Sequence, residues 1–198
     1  MELIDTLLKE IGEDKTDNMI TTSFKFKRDV WSYFKNFNDK VAVEFGTHKG
    51  QTTRILSHLF KKVYTININD NVASKKLNSD RENIIHIDNF DLYSTNNLPI
   101  DDEVSVILID AGHEYKQVIH DINTAFNLNC TKDSYIIFDD YGLVKWEHHV
   151  HKAVNEAVSI GALEIEKFIG HEAGYNFGGT PPRILKYNEG VITKIKFQ

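Results

Sequence analysis

From position 40 onward, runs rich in Val, Ile, Phe and Tyr alternate with amphipathic stretches, and this alternation constrains the fold more than any other feature. "KVAVEF" (40–45), "KVYTIN" (62–67), "NIIHI" (83–87), "VSVILI" (104–109) and "SYIIF" (134–138) read as strands. The segments at about 51–60, 72–79, 114–127 and 146–159 carry apolar residues at helical spacing. Successive parallel strands need a crossover, usually a helix, so the pattern predicts a mostly parallel α/β sheet with helices on both faces. The rhythm breaks toward the C-terminal side. "ALEIEKFIG" (162–170) and "RILKYNEGVITKIKF" (183–197) look like strands joined by "HEAGYNFGGTPP" with no helix between them, so an antiparallel pair is expected to close the sheet. Two helical stretches precede the first strand, Glu2 to about Ile11 and about Phe24 to Phe37, the second behind Thr22 and Ser23 as candidate N-caps.

A chain of 198 residues that is 41% hydrophobic can bury a full core, which fits one domain over 39–198 with an N-terminal helical segment over 1–38, a lid or a dimer contact. The net charge of -6 offers no general footprint for nucleic acid. Lys25, Lys27, Arg28 and Lys35 could form a local basic patch but read more simply as a solvated helix face. The single cysteine, Cys130, leaves no intrachain disulfide and suits a reducing compartment. The opening segment lacks the basic end and apolar core of a signal peptide, and no apolar run reaches membrane-spanning length, so a soluble, cytoplasmic protein with no membrane partner is expected.

In "VAVEFGTHKGQTTRIL", Glu44 stands at the end of the first strand, Gly46 and Gly50 bracket a turn, and Thr52 and Thr53 enter the next helix. Glycines there permit a sharp turn and close backbone approach, and a helix N-terminus presents free amides to an anionic group. The spacing is Glu-x-Gly-x-x-x-Gly, with His48 where a dinucleotide fingerprint has its middle glycine. Asp110 ends the fourth strand and Asp139 and Asp140 end the fifth, in "IIFDDYG". Adjacent strands lie about 4.8 Å apart, so the three acids are expected to converge on the crevice beyond the strand ends. Their repulsion asks for a counterion, and all-oxygen ligation suits Mg²⁺. The alternative is that Asp139 or Asp140 caps a turn without metal. His113, three residues past Asp110, is a candidate general base or a merely structural histidine. The cluster His148, His149 and His151 lacks the spacing of a helical zinc site and reads as a solvated face. Cys130, Tyr115 and Trp146 read as packing residues.

The acid before the first glycine resembles motif I of the class I S-adenosylmethionine-dependent methyltransferases, and the alternating pattern with its antiparallel end resembles their seven-stranded, Rossmann-like sheet over about residues 39–198. "VEFGTHKGQTT", "ILIDAGHEYKQVIHDI", "IIFDDYG" and "VHKAVNEAV", in that order, resemble the methyltransferase type 24 and macrocin O-methyltransferase group. The resemblance implies that Glu44 faces the methionine end of S-adenosylmethionine, that Gly46, Thr47, His48 and Thr52 surround it, and that Gly50 allows its close approach. It places Asp88 beside adenine and Asp110 at the cofactor, and it implies a divalent metal at Asp110, Asp139 and Asp140. Where the family has a ribose-binding acid this chain has Asn67, with one acceptor oxygen and no charge. The implied activity is metal-assisted O-methylation of a small molecule or sugar hydroxyl, with homodimerisation possible. A silent relative that only binds ligand, and an NAD-linked oxidoreductase, are the competing readings.

Overall fold

The computed structural model describes residues 2–12, 21–94, 97–143, 149–179 and 182–196. Helices α1 (Leu3–Ile11) and α2 (Phe24–Phe34) lead into β1 (Val41–Phe45), α3 (Gln51–Leu59), β2 (Lys62–Ile66), α4 (Val72–Leu77) and β3 (Ile84–Ile87). β4 (Val104–Ile109), α5 (Tyr115–Phe126), β5 (Cys130–Phe138), α6 (Val150–Ser159), β6 (Leu163–Ile169) and β7 (Gly190–Ile195) follow. The sheet has seven strands in the order β3-β2-β1-β4-β5-β7-β6. β1 through β5 pair in parallel, and β7 runs antiparallel to both β5 and β6. The expected Rossmann-like sheet with an antiparallel end is therefore present.

The two-residue period of the strands sorts the core onto two faces. Val106 and Leu108 of β4 join Ala42, Val63, Ile137 and Ile192 under α1, α2 and α3. Ile107 and Ile109 join Val43, Phe45, Ile136 and Phe138 under α5 and α6. All six residues of β4 are buried, as a central strand covered on both sides requires.

The N-terminal helices belong to this layered body. Ile4, Leu7, Leu8 and Ile11 of α1 and Phe26, Val30 and Phe34 of α2 lie in the same buried cluster as the sheet. Ser23 caps α2 by accepting from the Phe26 amide at 3.0 Å. Glu189, wholly buried just before β7, accepts from Ser23 N (2.9 Å), Ser23 Oγ (2.6 Å) and His171 N (3.0 Å). Lys25, Arg28 and Lys35 lie on an exposed face, Lys25 paired with Asp29 and Arg28 with Asp5, whereas Lys27 is buried with its ammonium on the carbonyl of Thr22.

The long strand expected at 183–197 is confined to β7. Upstream of it, Lys186 N donates to Gly142 O and Glu189 N to His171 O, so these amides are spent on loop contacts. Only the isolated bridge Asn176–Ile184 remains of the ladder there. β5 in turn begins earlier than expected, at Cys130, with a register shift against β4. No helix among the described residues is long and apolar enough to cross a membrane.

Candidate functional site

Strand order reverses direction between β1 and β4, where chain connections leave to opposite sides and open a crevice at the carboxyl ends of the strands. Gly46 leaves β1 with φ +90° and donates its amide to Ile66 O at 3.0 Å. A Cβ there would lie 2.1 Å from the carbonyl oxygen of Asp110, so the absence of a side chain lets the ends of β1 and β4 touch. His48 (φ 43°) and Gly50 (φ +79°) continue the left-handed turn, and the Asn71 side chain donates to His48 O. A Cβ on Gly50 would meet Ser74 Oγ at 2.2 Å; this glycine accommodates α4.

Glu44 is held under the turn. Its carboxylate accepts from Thr53 Oγ1 and, at 2.6 Å, from Thr65 Oγ1; Thr65 also bonds Thr47 Oγ1 at 2.6 Å. Thr52 Oγ1 reaches back to Thr22 Oγ1 at 3.1 Å. Glu44, Thr47, Gly50 and Thr52 thus build the turn from behind rather than line the crevice. Burial pushes the Glu44 carboxyl up to about 8, against the two threonine hydrogen bonds that favour its ionised form. The folded state therefore holds a proton here that the unfolded chain, near 4.5, releases. Stability from this group is present at low pH and falls as pH rises between about 5 and 8. Urea titrations across that range should show the decline in wild type and a flatter profile in Glu44→Gln; parallel profiles would contradict a proton on Glu44.

The crevice is a cleft of about 350 Å³. Gly46, His48, Ile66, Asn67, Ile68 and Asp110 line it. Phe90, Asp91, Leu92, Tyr93, Ala111, Gly112 and Gln117 complete the lining. Of the residues expected at a cofactor, the structure brings Gly46, His48, Asn67 and Asp110 to the cleft wall. Asp88 is absent from that wall; its Oδ2 pairs with Lys75 Nζ at 2.6 Å, and Lys75 also holds Asp70. The lining residues Phe90 to Tyr93 carry no expectation from the sequence. Their signal was "FDLY" (90–93), an apolar run with a helix on neither side and no strand to bury it.

Across the cleft mouth, His113 Nε2 lies 3.1 Å from Asp140 Oδ2 and 3.6 Å from Asp110 Oδ1. Burial alone would push the imidazole down, but these two carboxylates outweigh it and hold its pKa up at about 11. Asp140 takes φ 53°, a left-handed conformation that aspartate tolerates better than most residues, and so turns its carboxylate toward His113. Asp139 is buried beside it. Among the described residues no three His, Cys, Asp or Glu side chains gather where they could share a metal ion. The donor set expected for Mg²⁺ is therefore not assembled by Asp110, Asp139 and Asp140; an imidazolium stands between two of them. Cys130 packs with Sγ near Ala125 O, and burial raises its thiol to about 11, which leaves no thiolate nucleophile at neutral pH. The Tyr115 hydroxyl donates to Glu156, and Lys152 sits over its ring. His149 and His151 flank the start of α6, His151 packing against Tyr187; His148 and Trp146 lie outside the described residues.

A family described as a methyltransferase domain matches residues 43–141 of this chain, a span from β1 through the double aspartate. Uncharacterized protein R132 of Acanthamoeba polyphaga mimivirus is 29% identical over 136 residues, which cover 62% of this chain and 61% of that protein. The chain thus spans less than two thirds of that curated relative. Among solved structures, the O-methyltransferase TomG from Streptomyces achromogenes, determined in complex with S-adenosylmethionine, superposes with a TM-score of 0.65 at 9% identity, covering 98% of this chain and 88% of TomG. A SAM-dependent methyltransferase from Aquifex aeolicus superposes with a TM-score of 0.62 at 15% identity, covering 99% and 100%. At these identities the structures share the fold.

Proposed function

The chain belongs to the methyltransferase domain family, and from that premise we propose that it transfers a methyl group from S-adenosylmethionine to a hydroxyl oxygen of a small molecule or sugar. The observation that carries this reading is the cleft at the β1/β4 switch point, lined by Gly46 of the turn, Asn67, Asp110 and the apolar side chains of Ile66, Ile68, Phe90 and Leu92. A ligand with a charged amino-acid end, a ribose and a purine suits that mixture of polar and apolar groups. The preference for oxygen rests on TomG, an O-methyltransferase of the same fold.

When bound, S-adenosylmethionine supplies a methyl carbon whose bond to sulfur breaks as the acceptor oxygen bonds to it. The turn over 46–50 and the first amides of α3 receive the amino-acid end. Asn67, just past β2, donates its Nδ2 to Asn69 O at 2.9 Å and turns its side-chain oxygen to the ribose hydroxyls. His113 is already protonated at neutral pH and therefore cannot begin as the base; it steadies and orients the carboxylates on either side. Asp110 lines the cleft and takes the proton that the acceptor hydroxyl loses. Charge balance at the site comes from the imidazolium, and no step is assigned to Mg²⁺.

Calorimetry with S-adenosylmethionine, S-adenosylhomocysteine and NAD tests the reading. Micromolar binding of both sulfur compounds without binding of NAD is expected; binding of NAD alone would replace it with an oxidoreductase. Binding without turnover on any pool of hydroxylated acceptors would leave a ligand-binding protein.

A further inference from the structure

Beyond Asp110 the carboxyl end of the sheet continues over β5, β7 and β6, outside the cleft. β7 is antiparallel to both of its neighbours, so β6 runs with β5, and the residues just before β7 lie at the same end as the last residues of β5 and β6. An aromatic surface occupies that end. Phe168, next to last in β6, and Tyr187, shortly before β7, are 44% and 43% exposed. Both pack on Tyr141, their ring centroids 5.7 Å and 5.8 Å from it. Tyr141 is itself buried and fixed by its hydroxyl, which donates to Asn155 Oδ1 at 3.0 Å. His151, in the first turn of α6, meets the Tyr187 ring at 5.2 Å.

The backbone brings this surface up to the carboxylates. Gly142 follows Asp140 and Tyr141 directly. A Cβ on Gly142 would lie 2.3 Å from the carbonyl oxygen of Tyr187 and 2.5 Å from that of Asn188, so the segment carrying Tyr187 rests on the turn that carries Asp140. Lys186 N donates to Gly142 O at 2.9 Å and closes the same contact. His149 N donates to His113 O at 2.9 Å, which sets the start of α6 beside the imidazole. The aromatic surface is therefore continuous with the cleft mouth.

Methyl transfer requires the acceptor oxygen, the methyl carbon and the sulfur in line. This inference rests on the cofactor reading above, which fills the cleft on the β1 and β2 side of Asp110; the acceptor is then left with the side of β5 and β7. Strand β7 lies two strand spacings from β4, roughly 10 Å. An acceptor whose oxygen is held at Asp110 reaches Tyr187 only if it is about that long, the span of two rings. Exposed aromatic faces favour a second π-system against them. A carboxylate base also suits a phenol, which ionises at about 10, better than an alkyl hydroxyl, a much weaker acid.

We propose that the methyl acceptor is a phenol on a planar system of at least two rings, with its hydroxyl at Asp110 and its far ring stacked on Tyr187. The phenol oxygen bonds the methyl carbon as the carbon–sulfur electron pair returns to sulfur, and the phenolic proton passes to Asp110.

The test takes 2-naphthol, phenol and methyl α-glucopyranoside as probes. Calorimetry follows their binding to protein saturated with S-adenosylhomocysteine, and labelled S-adenosylmethionine follows transfer. Wild type should bind 2-naphthol about tenfold or more tightly than phenol and methylate it, and should leave the glucoside unlabelled. Tyr187→Ala should weaken 2-naphthol by about tenfold, the scale of one aromatic contact, with phenol and S-adenosylhomocysteine binding as before. Tyr187→Phe should keep the two-ring preference. Tyr187→Leu, which retains apolar bulk without a ring, should lose it, and this variant decides the matter if Tyr187→Ala does not fold. A preference undiminished in Tyr187→Ala or Tyr187→Leu, or label on the glucoside and none on 2-naphthol, would overturn the proposal while the cofactor reading stands. Failure of wild type to bind S-adenosylhomocysteine would overturn the cofactor reading and this assignment with it.

Discussion

Replacing Gly46 by valine is expected to remove at least about 3 kcal/mol of stability and with it all cofactor binding. Two costs add. A β-branched residue at φ +90° is strained by about 1–3 kcal/mol wherever it occurs. Here the new Cβ would also lie 2.1 Å from Asp110 O and 2.9 Å from Ala111 Cα, which are backbone atoms that no rotamer change can move. The ends of β1 and β4 would have to separate, and these are the strands that define the cleft. Gly174→Val is the matched control, because Gly174 has φ +87° with nothing within 4 Å of its Cβ position. Urea denaturation should show a loss in Gly46→Val exceeding that of Gly174→Val by about 2 kcal/mol or more. Equal losses would mean that backbone strain alone explains the glycine and that the strand ends are not in contact.

Glu189→Ala should be nearly as damaging although the residue touches neither the cleft nor the carboxylates at its mouth. Its two oxygens receive Ser23 N, Ser23 Oγ and His171 N in a site with no water-exposed surface. Removing the acceptor orphans buried donors and frees the cap of α2, which together cost about 3–5 kcal/mol. Hydrogen exchange should show the first turn of α2 and the loop at His171 losing protection together. A loss below about 1 kcal/mol, with Ser23 still protected, would show that the donors find other partners.

The strands from 40 to 138 were legible because β-branched runs bounded by turns have a short period and a sharp edge. β1, β2 and β4 fall within a residue or so of where the alternation placed them. The antiparallel end was legible as a kind but not in extent: residues 183–189 have a strand-like composition, yet the amides of Arg183, Leu185, Lys186 and Glu189 go to Gly178, Tyr175, Gly142 and His171. That is a tertiary choice that no local propensity encodes. At the site, position along the chain indicated which residues lie near the strand ends, but not which way each side chain turns. Glu44 and Asp110 both stand at the end of a strand, and one faces inward to two threonines while the other faces the cleft. The ordinary titration range of His113 left it open between a base and a structural histidine; the nearness of Asp110 and Asp140, which raises its pKa, is not written in the sequence.

The position of β7 between β5 and β6 has a consequence for biosynthesis. β6 pairs with β7 alone, and β7 is the later of the two to be made. A nascent chain that has completed β6 therefore carries two open edges, one on β5 and one on β6, with their backbone donors and acceptors unmatched. Glu189 arrives in the same late segment, so α2, among the first helices synthesised, waits for its buried acceptor until almost every other described element has formed. Contacts of such long sequence separation are slow to close. The interval before β7 inserts is when the protein is most open to wrong pairing with a neighbouring chain, and a stalled ribosome or a truncation just short of Gly190 would hold it there.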